Sequence, residues 1–319
     1  MRGRNMRARS MLICSILLAV CCVLFMTLES RGNWDFVLWF RGRKLAALLL
    51  VGAAVSTATL LFQTISRNHI LTPSIMGFDA LFTLIVTLAV FTIGAAGYNH
   101  LPPELVFFVN LFLLIGAALL LFGTLLGQHR VDLMRMVLTG IIFGVLFRSL
   151  TSFVFRMIDP SEFATIQVSS YARFNYIELN LLWLAAGLTL LTLVLCWRMR
   201  RQLDVLSLGF EIATNLGEPV ARRQKHALVL VAVLVAVSTA LVGPVAFLGL
   251  LVVSIARLIA PNETHAVLIP LSALIAGIVL VGGQTILERV LGMSTPLAVV
   301  IDFVGGFVFL ALLLRRGWT

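Results

Sequence analysis

Apolar runs of about twenty residues follow one another along this chain with only short breaks. A helix of that length is what crosses the ~30 Å hydrocarbon layer of a bilayer. We read such runs at 11–28, 45–65, 79–98, 104–126, 134–158, 178–197, 226–243, 266–288 and 297–314, with a shorter apolar piece at 247–259. That makes ten crossings in 319 residues and leaves no room for a soluble domain. Only 12% of the residues are charged, against roughly a quarter in soluble proteins. The expected fold is an all-α, polytopic membrane domain covering 1–319.

The net charge of +10 lies in short clusters between the apolar runs, which is how membrane proteins fix their orientation, not how they bind nucleic acid. An even number of crossings puts both termini on one side. That side receives Arg2, Arg4, Arg7 and Arg9, then Arg198, Arg200, Arg201, Arg222, Arg223 and Lys225, and finally Arg315 and Arg316. It reads as the cytoplasmic face of a bacterial inner membrane, and 11–28 as an uncleaved first helix. Cys14, Cys21, Cys22 and Cys196 lie in or beside apolar runs and read as small apolar side chains, with no metal-ligand spacing.

One cluster falls on the outer side. Arg41, Arg43 and Lys44 head the second run, and Arg289 closes the ninth. They are read either as interfacial side chains reaching for water or as a basic rim for an acidic partner. The cytoplasmic segment 203–225, "LDVLSLGFEIATNLGEPVARRQK", is too polar to span and too patterned for a slack linker. Its Gly209, Ala213 and Gly217 stand four apart, which on one helix makes a smooth face suited to close approach. It is expected to be a short docking helix ending at Gly217; a helix lying at the bilayer surface is the other reading.

"LSLGFEIATNLG" resembles the cytoplasmic coupling segment of the iron–siderophore permease family of ABC importers, which the vitamin B12 permease shares. Leu206, Leu208, Gly209, Ala213, Leu216 and Gly217 match its pattern. In the same order, "RGRKLAALLLVGAAVSTATLLFQTISRNHILTPSIMGFDA", "VGPVAFLGLLVVSIARLIAP" and "STPLAVVIDFVGGFVFLALLLRR" resemble other blocks of the family. "LTGIIFGVLFRSLTSFVFRMIDPSEF" is similar to the branch that handles catecholate siderophores such as vibriobactin, petrobactin or anguibactin. Two departures stand out. Val253-Ser254 replaces a Pro-His common before the arginine matched by Arg257, and Arg41-Gly42-Arg43 lacks a proline common in the outer basic motif.

The resemblance implies a permease subunit that moves ferric siderophore by alternating access. It implies a second permease chain, a paralogue making a heterodimer, two ATP-binding subunits carrying ATP and magnesium, and a periplasmic or lipoprotein siderophore-binding protein. Leu208, Gly209, Ala213, Leu216 and Gly217 would couple to the ATPase, and Arg41, Arg43 and Arg289 would dock the binding protein. No phosphate-loop signature occurs, nor any zinc-protease or nucleophile-elbow motif, so the chain is expected to be non-catalytic and to bind no cofactor itself.

Arg148 stands inside the fifth run, where a charge costs ~2.5 kcal/mol or more at the bilayer centre. It is read either as a pathway-lining cation or as a packing partner of Asp302 or Asp79, which are themselves read as capping residues near helix starts. Gly243-Pro244, followed by Phe247, interrupts the chain and is read either as a break lining the pathway or as an interhelical turn. Gly305-Gly306 reads as a helix-packing site. His69, His100, His129, His226 and His265 read as interfacial or loop residues. An ion-coupled secondary transporter is the alternative, but it calls for paired broken spans and an acidic relay that the sequence does not display.

Overall fold

The computed structural model describes residues 2–28, 34–126, 133–174, 177–260, 262–290, 292 and 296–316. The expectations for His129, Ser294 and Thr295 lie outside them. Thirteen α-helices are seen and, among the described residues, no strand: α1 (Arg2–Thr27), α2 (Trp34–Ser66), α3 (Phe78–Asn99), α4 (Pro103–Leu126), α5 (Leu133–Phe155), α6 (Phe163–Ser170), α7 (Leu179–Arg198), α8 (Arg200–Ser207), α9 (Phe210–Asn215), α10 (Val220–Val242), α11 (Leu248–Ile259), α12 (His265–Arg289) and α13 (Leu297–Arg316). Inside a helix the backbone polar groups bond within their own segment, the condition for crossing lipid. Among the described residues, eight helices are long and apolar enough to span; α11 is a shorter apolar piece, as is the stretch 297–308 of α13.

α2, α10 and α12 form the centre. In α2 and α10, 67% of the most apolar stretch is buried, against 11% in α1. α2 and α12 pair antiparallel, and polar groups fasten them at both ends. At one end Lys44 makes a buried ion pair with Glu288, and Gln284 donates to the same carboxylate at 2.8 Å. At the other, Thr64 meets His265 at 2.8 Å. Close approach is set by small residues: a Cβ on Gly249 of α11 would collide with the Thr59 hydroxyl of α2. Between α2 and α3 a 3-10 turn, Pro73–Met76, packs against the middle of α5, where a Cβ on Gly140 would come 2.9 Å from the Met76 Cα.

Three expectations change. Helix α2 begins at Trp34, not at 45, because the polar groups of Arg41 and Lys44 are satisfied inside the protein. Lys44 therefore belongs to the core and not to an outer rim. His265, read as an interfacial or loop residue, is 2% exposed. Helix α6, ahead of α7, was not expected.

Candidate functional site

The segment 203–225 is a broken pair of helices and not one smooth rod. Gly209 has φ 106° and ψ 166°, a conformation a side-chain-bearing residue avoids, and it separates α8 from α9. Gly217 has φ 83° and ends the pair. The four-residue spacing of Gly209, Ala213 and Gly217 thus does not lie on one face. Ala213 is 0% exposed and packs inside the chain, and a Cβ on Gly209 would meet the guanidinium of Arg67 at 3.0 Å. Gly217 alone of the three stands open, with nothing within 4 Å of a Cβ. The surface is carried instead by Leu208, Phe210, Ile212 and Leu216, all exposed. Burying such side chains is worth ~1.5–3 kcal/mol each, so a cluster of them on a helical turn marks a contact surface. Beside it Leu206, Phe210, Ile212 and Arg67 line a cleft of about 560 Å³.

Helix α8 is tied to the centre by Asp204. Its carboxylate accepts the His265 backbone N–H at 2.7 Å and meets His265 Nδ1 at 2.7 Å. Partial burial pushes the Asp204 carboxyl up, but the two His265 hydrogen bonds outweigh it and hold the group below its ordinary range.

At the other end of α2 the three docking candidates differ. Arg41 donates to the carbonyls of Phe25, Met26 and Leu28 at 3.2, 3.0 and 2.8 Å, closing the end of α1. This corrects the expectation that its charge faces outward. Arg43 lies over the Trp39 ring at 3.4 Å and donates to the Trp39 carbonyl, remaining partly exposed at the edge of a cavity of about 590 Å³. Arg289 ends α12 and is partly buried.

Arg148 is exposed on α5, and among the described residues no carboxylate lies within 4 Å of it. It makes no ion pair with Asp79 or Asp302, although its charge acts on the nearby Asp79. With Ser149, Ser152 and Arg156 it lines a shallow hollow of about 420 Å³. Arg148 and Ser152 stand four apart on one side of α5, and Arg156 follows in the turn just past its end. Ser152 and Arg156 were missed in the sequence, although that spacing was the available signal.

The break after α10 is local and well defined. Gly243 has φ 100°, and a Cβ there would meet the Ala172 backbone at 3.1 Å. The Arg173 N–H donates to Val242 O at 2.7 Å. Asp302 is the sixth residue of α13, not a start-of-helix residue, and accepts the Phe247 N–H at 3.2 Å. Asp79 is the second residue of α3, but that helix has no side-chain cap. Pro244, Asp79, Asp302, Gln167 and Tyr171 border one cavity of about 640 Å³. Gly305 packs on Phe247, with 2.9 Å from its would-be Cβ to Phe247 Cβ, while Gly306 faces open space. No group of three or more metal-ligating side chains occurs among the described residues.

Long apolar spans, a backbone break among them and an exposed apolar surface on the α8–α9 pair fit a membrane permease. The fold matches a metal-chelate type ABC transporter seen in an inward-facing conformation, with a TM-score of 0.83 over 97% of this chain and 99% of that one at 20% identity. The chain belongs to the FecCD transport family, whose model matches residues 10–315. It is 44% identical to the petrobactin import system permease YclO of Bacillus subtilis over 94% of this chain and 95% of that protein. It is 30% identical to the petrobactin import system permease FatC of Bacillus anthracis over 85% and 77%. The vitamin B12 import system permease of Klebsiella pneumoniae is 28% identical over 90% and 85%. The chain is thus the membrane-embedded permease subunit of an ABC importer and is not itself a catalyst.

Proposed function

We propose that this chain forms one side of the membrane pathway of an importer for anionic ferric siderophores of the catecholate type. The observation that carries the reading is Arg148, a cation exposed on the side of an apolar spanning helix and held in no ion pair among the described residues. Facing lipid, it would cost ~2.5 kcal/mol or more. Facing a water-filled path shared with a second permease chain, it offsets part of the dehydration of an anion. Arg156, in the turn just past the end of α5, borders the same hollow. The similarity to two petrobactin permeases supports the substrate class.

In this reading the second permease chain is a paralogue. Two ATP-binding subunits, which carry ATP and magnesium, seat Leu208, Phe210, Ile212, Leu216 and Gly217, and the bordering cluster of basic residues is cytoplasmic with both termini. A periplasmic or lipid-anchored siderophore-binding protein docks at the opposite end, against Arg43 and Arg289. Pro244 and Phe247 border the path at the break. Proteoliposomes containing both permease chains and the ATPase should take up ferric catecholate only when ATP is enclosed with the ATPase face. Uptake that persists without ATP and collapses with an ionophore would instead establish the ion-coupled alternative.

A further inference from the structure

We infer that Asp204, His265 and Thr64 form the joint through which a movement of the coupling helices reaches the centre of the permease. The inference rests on the reading of α8 and α9 as the ATPase-binding element.

His265 is the first residue of α12 and is 2% exposed. On one side its backbone N–H and its Nδ1 both meet Asp204 Oδ1 at 2.7 Å. On the other its Nε2 meets Thr64 Oγ1 of α2 at 2.8 Å. The carboxylate of α8 thus closes the start of α12, where Thr264 offers no side-chain cap, and a negative charge there suits the helix dipole. One imidazole connects three elements: the first coupling helix, the central α2 and the central α12.

The other contacts of α8 with the centre include Leu203 and Leu206, both buried. Apolar contacts are non-directional and permit sliding. Hydrogen bonds to a rigid ring do not, so the joint fixes direction as well as distance. At the far end α2 and α12 are fastened again by Lys44 and Glu288. A displacement of α8 therefore moves the pair as one body.

Hydrogen-bond counting shows that the joint tolerates either charge state of the ring. Asp204 accepts, so Nδ1 carries a proton in both states. With Nε2 bare, the Thr64 hydroxyl donates to it. With Nε2 protonated, the ring donates to Thr64 Oγ1, and the hydroxyl turns to the Leu60 carbonyl 2.8 Å away. Both legs survive, and only loss of the Asp204 charge weakens the connection to α8. Arg200, on α8, adds a favourable charge beside Asp204.

The test uses the complete transporter in proteoliposomes and reads substrate moved per ATP hydrolysed. Thr64→Val removes the α2 leg with little change of volume, and Asp204→Asn weakens the α8 leg. Each should preserve ATPase binding and hydrolysis yet lower the ratio by about fivefold or more. The double variant should be no worse than the poorer single one, because the legs act in series through one ring. Thr64→Ser should restore the ratio. Multiplicative losses, or an unchanged ratio in both single variants, would overturn the joint. Should Asp204→Asn reduce yield, the Thr64→Val and Thr64→Ser pair decides alone. A separate arm, Leu216→Asp, checks the underlying reading: if the ATPase still co-purifies at wild-type level, the coupling assignment fails and the joint with it.

Discussion

Arg41 and Arg43 differ by two positions and meet different surroundings. Arg41 closes the carbonyl end of α1, while Arg43 lies across Trp39 at the margin of an open cavity. Arg41→Ala should therefore lower the melting temperature in detergent, at a cost of ~1 kcal/mol, and leave binding-protein association unchanged. Arg43→Glu should do the reverse, slowing association more at low salt than at high salt because exposed charges are screened. Stopped-flow association and thermal melts on the same two variants separate the roles. Asp204 gives a second expectation. Its folded-state value lies below the ordinary 3.8, so its stabilisation is fully present above 3.8 and is lost as pH falls through the lower folded value. Melting temperatures should drop over that acidic window in the wild type, and this part of the drop should vanish in Asp204→Asn.

At the scale of elements, the coupling pair separates residues that face inward from residues that face out. Ala213 packs inside, so Ala213→Trp should overfill the site by about 1–3 kcal/mol and reduce membrane abundance. Leu216 faces out, so Leu216→Asp should leave abundance intact and abolish co-purification of the ATPase. Quantitative blotting and pull-down from the same membranes read both. The sequence located this element and named Leu208 and Leu216, but a spacing of four is compatible with a helix without requiring one. The positive φ of Gly209 breaks the helix there, and no periodicity reports it. Hydropathy placed the spans well because it measures solubility in lipid. It could not show that α2 starts eleven residues early, since Arg41 and Lys44 look costly until their partners on α1 and α12 are present. Nor could it rank α2, α10 and α12 as central, because helices apolar on every side carry no stripe that points inward.

On the scale of the whole permease, the family was legible in blocks of sequence order, and the joint at His265 was not, because Thr64, Asp204 and His265 are distant in the chain. The missed Ser152 and Arg156 were in principle visible at four-residue spacing from Arg148, but only the structure shows these residues exposed around one hollow. That exposed surface is the proposed route for an anion. The most direct measurement is uptake of two ferric siderophores, one anionic and one neutral, by wild type and Arg148→Gln in identical proteoliposomes, each normalised to transporter content. Arg148→Gln should keep its abundance and ATPase binding while anionic uptake falls about tenfold, the effect of one lost charge contact of ~1.4 kcal/mol, and neutral uptake changes little. Loss of protein with an unchanged ratio between the two substrates would contradict it and make Arg148 a packing residue.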